Sequence, residues 1–168
     1  GENLKNRLIA FILACVMIIP GCMSTDSVIE SNFHGELIEN SKKADDFTLT
    51  TNDNQTYNFK EETEGKVTII AFLFTNCYDI CPIVTYNLGM IHESLNQSQL
   101  DKIEFLTITV DPWRDNTTTL TEWKLGTKSN WTHLTINDVD ENSPEFIELS
   151  NVWANFNVGF SIETNQTE

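Results

Sequence analysis

Residues 67–82 have the sequence Val-Thr-Ile-Ile-Ala-Phe-Leu-Phe-Thr-Asn-Cys-Tyr-Asp-Ile-Cys-Pro. The first eight of them, Val67 to Phe74, form a nearly continuous apolar run that is rich in β-branched and aromatic side chains. Such a run predicts a buried central strand. Pro82 suits the first position of a helix, where its missing N–H costs no hydrogen bond. We therefore expect a strand, a short loop that contains Cys77 and Cys81, and a helix.

The segment upstream of this strand predicts a β-hairpin. Apolar and polar residues alternate over 47–50 and again over 57–59. Between them, residues 52–55 (Asn-Asp-Asn-Gln) are of the kinds that favour a turn, and two short strands around a turn form a hairpin.

Downstream of Pro82, helix and strand patterns alternate. The expected elements are a helix with Val84, Leu88, Ile91 and Leu95 inward, a strand over 103–110, a helix over 118–128 with Leu120, Trp123 and Leu125 inward, a strand over 131–136, and a helix capped by Ser143 with Phe146, Leu149, Val152 and Trp153 inward. This alternation predicts βαβ units with right-handed crossovers and a mainly parallel sheet. The expected fold class is α/β.

The composition narrows the range of partners. The chain has 168 residues, and its 25 acidic against 10 basic residues give a formal net charge of -15. A phosphate backbone needs clustered cations, so this balance argues against nucleic-acid binding. It also argues against electrostatic docking on anionic lipid, and it favours cationic partners or metal ions.

The N-terminal residues have the pattern of an export signal. A short basic segment is followed by an apolar stretch, Leu8 to Ile19, which is too short for a comfortable membrane span. The sequence Pro-Gly-Cys at 20–22 resembles a lipoprotein processing site. We expect residues 1–21 to be a signal peptide or uncleaved anchor, Cys22 to be lipidated, and 22–44 to be a flexible tether. Either form would hold the domain at the outer face of the cytoplasmic membrane.

The cysteine pair is the feature with the clearest chemistry. A helix N-terminus offers unpaired N–H groups and partial positive charge, which favour a thiolate over a thiol. A thiolate is both the nucleophile of disulfide exchange and a soft metal ligand. Two thiolates suit Cu(I), whereas Zn²⁺ prefers four ligands. The loop has three residues between the cysteines, whereas thioredoxin-type enzymes have two, and the wider spacing permits either chemistry.

The motif Cys77-Tyr-Asp-Ile-Cys-Pro82 resembles the Cys-x-x-x-Cys-Pro motif of the SCO/SenC family. Members are membrane-anchored, thioredoxin-fold copper-binding proteins that help to assemble the dinuclear copper centre of cytochrome c oxidase. Residues 106–115 (Leu-Thr-Ile-Thr-Val-Asp-Pro-Trp-Arg-Asp) resemble the family's strand and loop of Ser-Val-Asp-Pro-x-Arg-Asp type. The hairpin at 46–55 and the segment 131–135 are also similar, so the resemblance covers roughly residues 45–160.

The resemblance implies a thioredoxin-like domain over 45–168, in which Cys77 and Cys81 bind copper as Cu(I) or Cu(II). The family's third ligand is a His well downstream of the third helix, and the sequence ends before that position. We therefore expect a C-terminally truncated copy that lacks the closing strands and the last helix and has one bare sheet edge. His133 aligns with a structural position, and we expect a strand-edge residue there.

Two functions follow from the same pair. In the first, which the resemblance implies, the protein is a metallochaperone and not strictly an enzyme. It passes copper to the copper-bearing subunit of a terminal oxidase and is held at the membrane by its N-terminal anchor. In the second, it is an exported thiol–disulfide oxidoreductase in which Cys77 attacks and Cys81 resolves. Asp79 lies between the cysteines. It could influence the acidity of the thiols or contact the basic surface of a partner, or it could be a solvated loop residue.

The loop after the second core strand contains three further candidates. Asp111, Arg114 and Asp115 follow a parallel strand at its C-terminal end, where α/β sheets place functional groups. We nevertheless expect structural roles there, with Asp111 capping the turn and Arg114 pairing with a nearby acid. Trp113 is the one tryptophan that we expect to contact a partner.

Overall fold

The computed structural model describes Gly35, Ile38 and residues 43–159. The predicted leader, Cys22 and nearly all of the predicted tether lie outside these residues. In the part that is described, no helix has the length and apolar character that crossing a membrane requires.

Five strands form one sheet in the order β2-β1-β5-β4-β3. The strands are β1 (Thr48–Thr51), β2 (Thr56–Asn58), β3 (Val67–Leu73), β4 (Ile103–Thr109) and β5 (Thr132–Thr135). The helices are α1 (Phe59–Thr63), α2 (Ile80–Ser94), α3 (Gln97–Leu100), α4 (Thr117–Thr127) and α5 (Pro144–Asn155).

The sheet confirms the predicted α/β class and the N-terminal hairpin. β3 pairs with β4 and β4 with β5 in parallel, whereas β1 runs antiparallel to both β2 and β5. Two parallel connections are made by helices, as the alternating pattern requires. In register, Leu73 at the end of β3 lies beside Thr109 at the end of β4, so the loops that follow these two strands begin at the same edge of the sheet.

The prediction that residues 67–74 form a central strand is wrong. β3 is an edge strand of the described sheet, and Val67 at its start is 65% exposed. β5 is the middle strand and β4 lies between β5 and β3; Leu106 and Ile108 of β4 are almost wholly buried. An apolar run indicates that both faces of a strand can be covered, but it does not specify how many neighbouring strands pair with it. A bare edge of the sheet was expected. Within the described residues β3 pairs with β4 on one side and with no strand on the other.

Helix α2 begins earlier than predicted. Its first residue is Ile80, so Pro82 is the third helical residue and Cys81 lies inside the first turn. Proline is tolerated there because the N–H groups of the first turn have no acceptor within the helix. The buried residues of α2 are Cys81 and Thr85, whereas Ile91, which was expected on the inner face, is exposed. Leu125 of α4, which was expected to point inward, is 74% exposed.

The main core lies between the sheet and α5. As predicted, Ser143 caps this helix, since its Oγ accepts a hydrogen bond from the N–H of Phe146 at 3.1 Å. The buried side chains of α5 are the four that were expected: Phe146, Leu149, Val152 and Trp153. They pack with residues of β4 and β5 and with Phe47, Leu49, Tyr57 and Phe59 from the hairpin region.

Candidate thiol site

The two cysteines lie at the junction between β3 and α2. Cys77 is in the loop after β3 and is 8% exposed, and Cys81 is in the first turn of α2 and is 3% exposed. The N–H of Cys81 donates a hydrogen bond to the Sγ of Cys77 at 3.3 Å, and both residues are free thiols. They form a small buried cluster with Leu73. The predicted site residues are therefore brought together by the local sequence, because strand, loop and helix are contiguous.

The two thiols have different acidities. Burial opposes ionisation of Cys77, but hydrogen bonds from the Cys81 thiol and from the backbone N–H groups of Cys81, Asp79 and Ile80 outweigh it and lower its pKa. Burial, the interaction with Cys77 and the negative charge of Asp115 raise the pKa of Cys81 to about 11. The first turn of a helix thus stabilises one thiolate, at Cys77.

The surface around the buried sulfurs is apolar and accessible. Tyr78 is 90% exposed, and Ile80 and Ile83 are each exposed by more than half. Exposed large apolar side chains grouped in this way are typical of a contact surface. Asp79 is also exposed and makes no side-chain capping bond to α2, although its backbone N–H supports the Cys77 thiolate.

The loop that follows β4 packs directly beside the thiol loop. Asp115 is fully buried, and its carboxylate accepts hydrogen bonds from the N–H and the hydroxyl of Thr75 and, at 2.6 Å, from the hydroxyl of Thr109. Its backbone carbonyl accepts a hydrogen bond from the Thr135 hydroxyl at 2.7 Å. Burial raises the pKa of Asp115, and the hydrogen bonds from the two threonines oppose this effect.

The structural roles that were predicted for Asp111 and Arg114 agree with the structure. The carbonyl of Asp111 accepts hydrogen bonds from the N–H groups of Arg114 and Asp115, and its carboxylate is paired with the Arg114 side chain. The contact of Asp115 with the thiol loop was not predicted from the sequence. The position of Asp115 after a strand parallel to β3 was the only available signal. Trp113 is 41% exposed and packs on Phe146.

A third metal ligand is absent from the described residues, in which no group of three or more His, Cys, Asp or Glu side chains could hold a metal ion. His133 lies on β5, between β1 and β4, and is completely buried, so the expectation of a strand-edge residue is wrong. Its Nε2 hydrogen-bonds to Ser129 Oγ at 2.7 Å, while its Nδ1 has no partner in the structure. Burial and the charge of Lys124 lower its pKa to about 4.

Comparison with known proteins gives a family model and several relatives. The SCO1/SenC model matches residues 35–140. An SCO2-like protein of Rickettsia felis is 35% identical over 85 residues, which are 51% of this chain and 40% of the relative. The chain therefore matches less than half of the length of this curated relative.

Solved structures of related proteins share the fold. Yeast Sco1 with copper bound is 28% identical and superposes with a TM-score of 0.58, covering 74% of this chain and 66% of Sco1. BsSco, a protein with a disulfide switch and a member of the Sco family of cytochrome c oxidase assembly proteins, gives a TM-score of 0.51 at 22% identity and covers 68% and 67%. The sheet and helices thus form the thioredoxin-like arrangement of the Sco structures.

Proposed function

Because the chain belongs to the SCO1/SenC family, we propose that it is a copper-binding protein for the assembly of cytochrome c oxidase. Cys77 and Cys81 bind Cu(I) as thiolates, and copper is a cargo that the protein passes on. The single observation that supports this best is the hydrogen bond from the Cys81 N–H to the Cys77 Sγ, because it brings the backbone of one cysteine to the sulfur of the other at a helix N-terminus.

Two cysteine thiolates are suitable ligands for Cu(I). Soft thiolate ligands select Cu(I), which accepts low coordination numbers. The lowered pKa of Cys77 makes it the thiol that ionises first, and Cys81 must lose its proton when the metal binds. The family resemblance assigns the third ligand to a His downstream of the described residues.

The surroundings of the sulfurs suit transfer to another protein. Cys77 and Cys81 are buried, whereas Tyr78 and Ile80 between them in sequence are exposed, so in this proposal a partner that covers these apolar side chains comes close to the metal. A thiolate of the partner then replaces one cysteine at a time, and no covalent bond has to form between the proteins. The partner in this proposal is the copper-bearing subunit of a terminal oxidase.

The proposed location follows from the N-terminal sequence. Residues 1–21 direct export, Cys22 receives the lipid, and 22–44 connect the anchor to the domain that begins at residue 45. Such a tether would place the thiol site at the outer face of the cytoplasmic membrane. Labelling with a radioactive fatty acid tests this, because a Cys22→Ser variant should lose the label and appear in the soluble exported fraction.

Copper binding is tested by competition between the reduced protein and a Cu(I) chelator of known affinity. The double variant Cys77→Ser/Cys81→Ser should lose more than about 100-fold in affinity, since changes outside the ligand shell alone cost about 10- to 100-fold. Met90→Ser is the matched control, because Met90 offers a soft sulfur on the same helix but is exposed and outside the thiol cluster. Equal affinity of the double variant and the unmodified protein would refute the proposal.

The second candidate is a thiol–disulfide oxidoreductase, and the unequal acidity of the two thiols favours it. The Cys77 thiolate attacks a disulfide of the target and forms a mixed disulfide, releasing one target thiolate. Cys81 then loses its proton and displaces the second target thiolate, so the target is reduced and a Cys77–Cys81 disulfide forms. Rapid reduction of a disulfide-containing peptide, without competitive Cu(I) binding, would favour this reaction over copper delivery.

A further inference from the structure

We propose that Asp115 is a positioning residue for the thiol site, and that its buried carboxylate holds Thr75, and through Thr75 the loop with Cys77, against the end of β4. Asp115 and Thr75 are 40 positions apart and belong to the loops after neighbouring parallel strands. The inference deepens the proposed function, on which it depends for the role of the site.

The contacts of Asp115 explain why an acid is needed there. Its two oxygens accept hydrogen bonds from three donors: the Thr75 N–H, the Thr75 hydroxyl and the Thr109 hydroxyl. Within the described residues, Asp115 takes part in no ion pair. A buried carboxyl group without a cation is costly unless its hydrogen bonds compensate, and charge-assisted hydrogen bonds are stronger than neutral ones. The carboxylate is therefore tied specifically to the threonines.

The contact fixes the cysteine loop at its start. Thr75 lies two residues before Cys77, and the N–H of Cys81 holds the Cys77 sulfur at the other end of the loop. The sulfur meets the N–H groups of α2 only while both ends keep their positions. Asp115 thus helps to keep the Cys77 sulfur beside the N–H groups of α2.

The reduction potential of the Cys77–Cys81 disulfide in glutathione buffers tests the proposal. In the measured reaction two glutathione thiols reduce the disulfide, giving two cysteine thiols and one glutathione disulfide. Thr75→Val and Asp115→Ala should weaken the hydrogen bond that the Cys77 sulfur of the reduced form accepts from the N–H of Cys81. We expect them to make reduction about tenfold less favourable, which lowers the potential by about 30 mV. Thr75→Ser keeps the hydroxyl and should retain the original potential.

The direction of the change separates positioning from simple loosening. A loop that has only become loose brings its sulfurs together less often, so its disulfide is easier to reduce and the potential rises. A rise, or an unchanged potential in both Thr75→Val and Asp115→Ala, overturns the proposal. Thr75→Val is nearly isosteric and keeps the test valid if Asp115→Ala does not fold.

The matched control is Asp111→Asn, because Asp111 belongs to the same loop but pairs with Arg114 instead of Thr75. The reduction potential of this variant should equal that of the unmodified protein. A shift as large as that of Asp115→Ala would count against a specific role of Asp115. No copper is present in the measurement. If the unmodified protein binds no Cu(I) but Thr75→Val and Asp115→Ala show the expected shifts in potential, copper handling alone is refuted. If the unmodified protein binds Cu(I) but these variants show no shift, the role of Asp115 alone is refuted.

Discussion

The backbone N–H of Cys81 points to the sulfur of Cys77 across 3.3 Å, so the first turn of α2 supports the thiol that precedes it. The two cysteines are consequently unequal: the pKa of Cys77 lies below its usual value, and that of Cys81 is raised to about 11. This asymmetry affects alkylation, copper binding and disulfide exchange in different, measurable ways.

The first prediction concerns alkylation by iodoacetamide at pH 7. Because the thiolate is the reactive form, Cys77 should be labelled first, and Cys81 in the Cys77→Ser variant should be labelled at least about tenfold more slowly than Cys77 in the Cys81→Ser variant. Mass spectrometry of timed samples gives both rates. In denaturant the two variants should react equally. Faster labelling of Cys81 in the folded protein would contradict the assigned asymmetry.

The second prediction concerns the pH dependence of stability. Burial lowers the pKa of His133 from 6.5 to about 4, so between these values the unfolded chain binds a proton that the folded protein excludes. Keeping His133 neutral therefore makes folding more favourable at high pH than at low pH. This stabilisation is present in full above pH 6.5 and is lost as the pH falls through about 4. It amounts to about 3 kcal/mol.

Urea unfolding at several pH values between 7 and 4 measures this contribution. The free energy of unfolding of a His133→Gln variant should depend less on pH over this window than that of the unmodified protein. Thr132→Gln on the same strand is the control, because it changes β5 without removing a titratable group, and it should leave the pH profile nearly unchanged. If the profile of His133→Gln matched the original one, His133 would not be the residue responsible.

Local sequence was sufficient to predict that Cys77 and Cys81 lie close together, but not which residues surround them. Cys77 and Cys81 are joined by a few residues, so their proximity follows from the strand–loop–helix pattern. The position of β3 at the sheet edge depends on strand pairing, which an apolar run does not encode. The contact between Asp115 and Thr75 spans 40 positions and requires the parallel register of β3 and β4.

Predictions for helices succeeded where several local signals agreed. Helix α5 has a serine cap, a proline at its first position and a clear apolar face, and the structure matches all three. In α2, Pro82 alone was used to place the first residue, although proline is accepted throughout the first turn. The start of α2 is therefore wrong by two residues, which is also why Cys81 was expected in the loop.

The third prediction tests the main core. Leu149 of α5 is fully buried, and Leu149→Ala should reduce the free energy of unfolding by about 3 kcal/mol, because it removes apolar contacts and leaves a cavity. Ile147→Ala on the same helix is the control, since Ile147 is 50% exposed and should cost less than about 1 kcal/mol. Chemical denaturation measures both. Equal losses would show that α5 does not cover the sheet through Leu149.

The last prediction links the acidity of the thiols to copper. Cys81 has a pKa of about 11, so at pH 7 to 9 it is protonated in the copper-free protein and must release that proton when Cu(I) binds. The apparent affinity for Cu(I) should therefore rise by at least about tenfold for each unit of pH over this range. Competition with a chelator whose own pH dependence is known measures the slope. Cys81→Ser should bind weakly and lose this proton release, whereas Met90→Ser should retain the slope. A flat profile in the unmodified protein would show that Cys81 does not bind the metal as a thiolate.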